Sequence, residues 1–171
     1  AEERRLFMGL MNTDQRKGLI HAFFNERAVS NLPELKGIAP RDVSAIGVIG
    51  GGTMGAGIAT AALLSGLSVT MLEMSADAAE AARGRSEGNL SGALKRGKIS
   101  QAQFETLTQK ALSLTTDYAG LAQADLVIEA VFEEMSVKKQ VFEQLDAVCK
   151  PSAVLATNTS YLDVNEIAAV T

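Results

Sequence analysis

The sequence predicts an α/β fold with a doubly wound parallel sheet, and three observations carry that prediction. β-Branched apolar runs alternate with helical stretches from Val43 onward. One of those runs, Val43 to Ile49, feeds directly into a glycine loop and then into small residues suited to the first turns of a helix. A later run, Asp125-Leu126-Val127-Ile128-Glu129-Ala130-Val131, is nearly continuously apolar, as expected of a parallel strand covered on both faces. The chain has 171 residues, 47% of them hydrophobic, with mean hydropathy +0.11, enough to bury the core of one domain. Sixteen basic against 20 acidic residues give a net charge of −4, which leaves no basic footprint for nucleic acid. No apolar run approaches the roughly 18 residues that a membrane span needs. A single cysteine, Cys149, cannot form an internal disulfide, so a reducing, cytoplasmic setting is expected.

Taken in order, Ala1 to about Asn31 predicts one or two helices, with Thr13 and Asp14 as caps and Leu19, Ile20, Phe23, Phe24 and Ala28 on one apolar stripe. His21, the only histidine, lies on this segment with no constellation beside it and reads as structural or solvated. Residues 32–42, holding Pro33, Gly37 and Pro40, read as a linker. After the first strand come helix 53–65, stopped by Gly66, and a second strand, Ser68 to Leu72. Ala76 to about Lys95 is a long helix with Gly84, Gly88 and Gly92 as weak points, ended by Gly97. A capping box at Ser100 and Gln103 starts a return helix to about Leu112, so this crossover is a helical hairpin. A third strand spans residues 112–116, a turn 117–124, and the apolar run above forms the fourth strand. Helix Ser136 to Cys149 carries Val137, Val141, Leu145 and Val148 on one stripe, and Pro151 breaks it. A fifth strand over 153–156 and a helix from Asp163 to about Ala169 complete the pattern, with strand order 3-2-1-4-5.

The spacing Gly50-x-Gly52-x-x-Gly55 is a dinucleotide fingerprint: a tight turn, an approach for a pyrophosphate, and close helix–strand packing. Thr53, Met54 and Gly55 open the helix whose unpaired N–H groups and positive dipole end face the phosphates. Roughly 20 residues beyond, the second strand ends in Glu73, where a carboxylate accepts hydrogen bonds from the adenosine ribose hydroxyls. Glu73 repels a 2′-phosphate, and Met74 and Ser75 supply no arginine to bind one, which favours NAD over NADP. In such sheets ligands bind beyond the carboxyl ends of the strands, which brings Ala130, Val131 and Glu133 to one crevice with Asn158 and Ser160. Glu133 and Lys138 straddle a helix start, where a capping carboxylate and an exposed lysine are the plain alternatives. Ser160 has no histidine or elbow motif nearby, so it reads as a hydroxyl orienting a substrate oxygen rather than a nucleophile. The basic tip Lys95-Arg96-Gly97-Lys98 is either a solvated loop or a phosphate contact for a bulky anion. No metal site is expected.

Three stretches carry a resemblance: G-V-I-G-G-G-T-M-G-A-G-I-A, D-L-V-I-E-A-V-F-E-E-M-S-V-K-K-Q-V-F and L-A-T-N-T-S-Y-L. Together they resemble the NAD-binding, Rossmann-type domain of 3-hydroxyacyl-CoA dehydrogenases, in the form found in multifunctional fatty-acid β-oxidation proteins behind an enoyl-CoA hydratase domain. The segment Ala22-Phe23-Phe24-Asn25-Glu26-Arg27 resembles the helical linker after that hydratase. The resemblance implies residues 1–42 as linker and 43–171 as NAD-binding domain. It implies Met54 against the dinucleotide, Glu73 on the adenosine ribose, Val131, Glu133 and Lys138 at the cofactor, and Ser160 touching substrate and cofactor. Lys95, Arg96 and Lys98 correspond to a CoA-contacting hairpin. In the family a histidine paired with a glutamate, both beyond Thr171, takes the 3-hydroxyl proton as hydride leaves for the nicotinamide. The expectation is therefore a fragment that binds NAD and has no turnover of its own. Its parent would act on acyl-CoA and form a homodimer or a β-oxidation complex through further domains. The alternatives are an NAD-binding regulatory or structural module, or another Rossmann hydroxyacid dehydrogenase.

Overall fold

The structure, a computed structural model, describes residues 2–171. Its Cα framework divides into two compact units, residues 1–41 and 42–171. The first holds helices α1 (Glu2–Leu10) and α2 (Asp14–Ala28) and a 3₁₀ turn at Pro33–Leu35. Ala1, where the sequence reading begins its first helix, lies outside the described residues. Thr13 caps α2 as its residue type predicts, its hydroxyl accepting from the Arg16 amide at 3.2 Å. The stripe on α2 stays in solvent, with Leu19 73% and Phe24 62% exposed.

The second unit is the predicted sheet. Its strands β1 (Ala45–Ile49), β2 (Ser68–Leu72), β3 (Leu112–Thr115), β4 (Leu126–Glu129) and β5 (Val154–Thr157) run parallel in the order β3-β2-β1-β4-β5. Side chains alternate across it, as a period of two requires. Ile46, Val48, Val69 and Met71 face one core with Ala59, Leu63, Ala82 and Leu90 from α3 (Thr53–Leu64) and α4 (Ala76–Lys95). Ile49, Leu72 and Val127 face the other, with Val141, Phe142 and Leu145 of α6 (Met135–Val148) and Ile167 of α7 (Val164–Ala168). Along the chain, α5 (Gln101–Thr106) follows α4, and a 3₁₀ turn at Tyr118–Leu121 follows β3.

Several boundaries depart from the sequence reading for local reasons. The return helix ends at Thr106 and continues as one π turn, Leu107–Ala111, closed where the Leu112 amide reaches the Leu107 carbonyl. The fourth strand stops at Glu129 instead of Val131, because the Glu129 carboxylate takes the Val131 amide at 2.7 Å and turns the chain out of the sheet. Helix α4 runs unbroken through Gly84, Gly88 and Gly92; its buried face is built from Ala79, Ala82, Ser86, Leu90 and Ala93, and tertiary packing holds what propensity alone would not. No helix among the described residues is long and apolar enough to cross a membrane.

Candidate dinucleotide site

The glycine loop sits at the carboxyl end of β1, between β2 and β4, where the strand order reverses. Gly50 has φ 88°, and a Cβ there would lie 2.7 Å from the Ala130 carbonyl oxygen, so the chain leaving β4 closes directly on the loop. At Gly55 a Cβ would fall 1.7 Å from the Gly50 carbonyl oxygen, which is the close helix–strand approach that the fingerprint demands. Gly51, which the x of the fingerprint leaves unspecified, is equally constrained: a Cβ would meet that of Ala82 in α4 at 2.1 Å. Its signal was the triple glycine itself. Gly52 differs, since a Cβ there meets nothing within 4 Å. It is exposed and caps α3 without a side chain, leaving the N–H groups of the first turn, Thr53 to Gly55, to an outside acceptor. This open cradle at a helix N-terminus fits a pyrophosphate. Met54, 59% exposed, stands at its rim.

Glu73 ends β2 as expected, one residue past Leu72, and its Oε1 accepts from the Gly51 amide at 2.6 Å. Its Oε2 accepts from the Met74 amide at 3.2 Å. The carboxylate is thereby fixed against the loop, with lone pairs left for a ribose hydroxyl.

On the other side of β1 lies a column of charge. Glu129, the last residue of β4, is fully buried and accepts from Lys138 Nζ at 2.7 and 2.9 Å, from the Val131 amide at 2.7 Å and from the Thr157 hydroxyl at 2.5 Å. Lys138, one helical turn into α6, is fully buried as well, and its third donor reaches Glu133 at 3.2 Å. Two buried opposite charges survive there because every lone pair and proton is matched; stripping one partner leaves the other desolvated and unpaired. Both plain alternatives for this pair are corrected. Lys138 is not exposed, and the residue at the helix N-cap is Glu134, whose side chain makes no capping bond. Glu133 instead bridges two loops: its Oε1 accepts from the Thr159 hydroxyl at 2.5 Å and the Ser160 amide at 2.8 Å. Those bonds, Thr159's first, with the Lys138 charge behind them, draw the Glu133 pKa from 4.5 down to about 2. The sequence carries one signal for Glu129: an acid inside an otherwise apolar parallel strand calls for a buried partner.

Ala130, Val131, Glu133, Asn158 and Ser160 therefore converge at the carboxyl ends of β4 and β5. The Asn158 amide donates to the Glu129 carbonyl at 2.8 Å, and both Asn158 and Ser160 are exposed. Lys95, Arg96 and Lys98 are not brought to the loop. They are exposed at the far end of α4, about 20 Å along the helix from the Ala82 contact at 1.5 Å per residue. His21 lies on α2 in the other unit, its Nε2 2.8 Å from the Asn25 amide.

Residues 45–171 match the family described as 3-hydroxyacyl-CoA dehydrogenase, NAD binding domain. A glyoxysomal fatty acid β-oxidation multifunctional protein of Brassica napus is 40% identical over 97% of the chain, which covers 23% of that relative. Among solved structures, the FadB2 protein of M. tuberculosis matches with TM-score 0.73 and 37% identity, over 77% of this chain and 46% of its own. The 3-hydroxybutyryl-CoA dehydrogenase of Escherichia coli K12 matches with TM-score 0.70 and 43% identity, over 75% and 27%. The chain thus spans about a quarter of the length of the curated relatives it matches.

Proposed function

The chain belongs to the NAD-binding domain family of 3-hydroxyacyl-CoA dehydrogenases, and from that premise we propose that it is the cofactor-binding half of an enzyme that oxidises (S)-3-hydroxyacyl-CoA to 3-oxoacyl-CoA in fatty-acid β-oxidation. The observation that carries the reading is the open cradle at Gly52, flanked by Glu73 on the β2 side and by the Glu133–Ser160 bridge on the β4–β5 side. When bound, NAD supplies the acceptor for the hydride leaving the substrate's C3. The chain's own residues bind and orient. The first turn of α3 receives the pyrophosphate, with Met54 against the dinucleotide, and Glu73 receives the adenosine ribose. Ala130, Val131, Glu133 and Asn158 form the wall on the opposite side, with the buried Lys138 behind it holding Glu133 in place, and Ser160 presents its hydroxyl to the substrate oxygen.

In this reading residues 1–42 are the helical linker that follows an enoyl-CoA hydratase domain, and the proton-accepting His–Glu pair and the domain closing the acyl site belong to the parent beyond Thr171. Lys95, Arg96 and Lys98 reach the phosphates of a CoA extended away from the crevice, and a homodimer or a β-oxidation complex forms through the parent's other domains. A cytoplasmic setting rests on the single half-buried thiol of Cys149; the Brassica relative is named as glyoxysomal.

The test is a fluorescence titration of the chain with NADH, paired with an assay on 3-hydroxybutyryl-CoA and NAD. Saturable NADH binding is expected, lost by about tenfold or more in Gly52→Ala, whose methyl meets no protein atom but enters the path of the pyrophosphate. No turnover is expected, since the one histidine lies on α2 and is engaged by Asn25. Unaltered NADH affinity in Gly52→Ala, or robust turnover, would overturn the reading.

A further inference from the structure

Selectivity against a 2′-phosphorylated cofactor ordinarily has two parts, an acid that repels the phosphate and the absence of a cation to receive it. The residues after β2 offer no such cation, but the fold brings one from elsewhere. Gly51 is clamped between two charged side chains: its N–H donates to Glu73 Oε1 at 2.6 Å, and its carbonyl accepts from Arg85 Nη1 at 2.9 Å. The guanidinium and the carboxylate therefore flank the backbone of a single residue.

The placement is built rather than incidental. Because Gly51 has no Cβ, Ala82 of α4 packs on the loop itself, and Arg85, three residues on along the same helix, is delivered to its rim. Arg85 is exposed, and that one bond uses one of its five N–H donors; it has no other partner among the described residues. Arg83, the neighbouring cation, is engaged with Glu80 at 3.5 Å. A planar fork with free donors beside the ribose-binding carboxylate matches the geometry that phosphate recognition uses.

We infer that Arg85 is a 2′-phosphate receptor already in place beside the adenosine ribose, and that preference for NAD rests on the charge of Glu73 alone. The inference builds on the dinucleotide reading above. A phosphate dianion entering beside Glu73 meets like charge at short range, which outweighs Arg85 while the carboxylate stands; neutralising that carboxylate leaves Arg85 as the dominant charge.

The decisive experiment titrates the chain with NADH and NADPH by fluorescence in four forms: the natural sequence, Glu73→Gln, Arg85→Gln and the double variant. Glutamine keeps an oxygen to accept the Gly51 N–H, so the loop is retained; Glu73→Ser serves as a second neutral variant, with far-UV circular dichroism confirming the fold of each. Glu73→Gln is expected to gain about tenfold or more in NADPH affinity, and adding Arg85→Gln to abolish that gain. Arg85→Gln alone is expected to leave the preference for NADH over NADPH in place, since Glu73 is unchanged. If the natural chain binds NADH but neither neutral variant gains affinity for NADPH, or if the gain persists without Arg85, the inference is wrong. Absence of NADH binding by the natural chain would instead remove the dinucleotide reading on which it stands.

Discussion

At the scale of single residues, Glu133 has the most directly measurable consequence. Its carboxylate is held as an anion first by the Thr159 hydroxyl, then by the Ser160 amide and by Lys138, so its folded-state pKa is about 2 against an ordinary 4.5. A depressed pKa means that the folded state binds the proton less readily than the unfolded chain, so this contribution to stability is complete above about pH 4.5 and is lost as the pH falls towards about 2. Asp125, held down by Lys150 and by the Ser44 and Ala45 amides, acts in the same direction. Urea denaturation of the natural chain between pH 7 and 2 should therefore show a midpoint that declines through this window. In Glu133→Gln the decline should be shallower, and in Thr159→Val it should also be shallower and end at higher pH, because the main anchor of the anion is gone and the folded pKa moves back towards 4.5. Superimposable midpoint curves for the three proteins would show that the Glu133 bridge is not formed in solution. Such bridges are what sequence reading missed. It placed Glu133 and Ser160 at the same crevice, but neither the choice of Lys138 as the cation for Glu129 nor the delivery of Arg85 to Gly51 has a local signature, since both join residues on different elements.

At the scale of elements, helix α4 sets the position of both Arg85 and the basic tip. It is 20 residues long with an alanine-rich buried face, so the glycines at 84 and 88 are not there for packing: a Cβ at either would meet nothing within 4 Å. Each therefore costs helix stability through the freedom it gives the unfolded chain. Gly84→Ala and Gly88→Ala should each stabilise the chain by about 0.5–1 kcal/mol, read as a higher urea midpoint with unchanged m-value. A destabilised variant would mean that those positions are covered in solution. The element pattern itself was legible. The capping box at Ser100 and the stop at Gly66 follow from periodicity and turn chemistry, which act over a few residues, and the strand order follows from the alternation of strand and helix along the chain. The π turn at 107–111 was not, because it arises where α5 must rejoin β3 and so depends on a distance fixed by the rest of the sheet.

At the scale of the molecule, every group assigned to the dinucleotide site lies within residues 42–171, and the hydrogen bonds that order it close within that unit. The unit's amino edge is tied by a clamp on Asp125, beside the Ser44 carbonyl, which accepts from the Ser68 amide and hydroxyl at 3.0 Å, and the Ala45 carbonyl, which accepts from the Asp125 amide at 2.8 Å. Asp125 Oδ2 accepts from the Ser44 amide at 2.8 Å, the Ala45 amide at 2.9 Å and the Ser44 hydroxyl at 3.1 Å, while Oδ1 takes Lys150. This joins the start of β1 to the start of β4 and the end of α6, three elements far apart in sequence. A chain beginning at Asp42 keeps all these donors, so it should fold cooperatively and bind NADH within about twofold of the whole, as expected of an independent unit. One beginning at Ile46 loses both amides and the hydroxyl, leaving the Asp125 carboxylate to Lys150, and loses the bonds to the Ser44 and Ala45 carbonyls with them, so it should unfold at a lower urea concentration at pH 7. Because Asp125 is then no longer held so far below the ordinary carboxylate range, its midpoint should also fall less steeply on acidification. Equal midpoints for the two truncations would show that the clamp contributes nothing. Loss of NADH binding on removing residues 1–41 would show that the cofactor site extends into the helical unit.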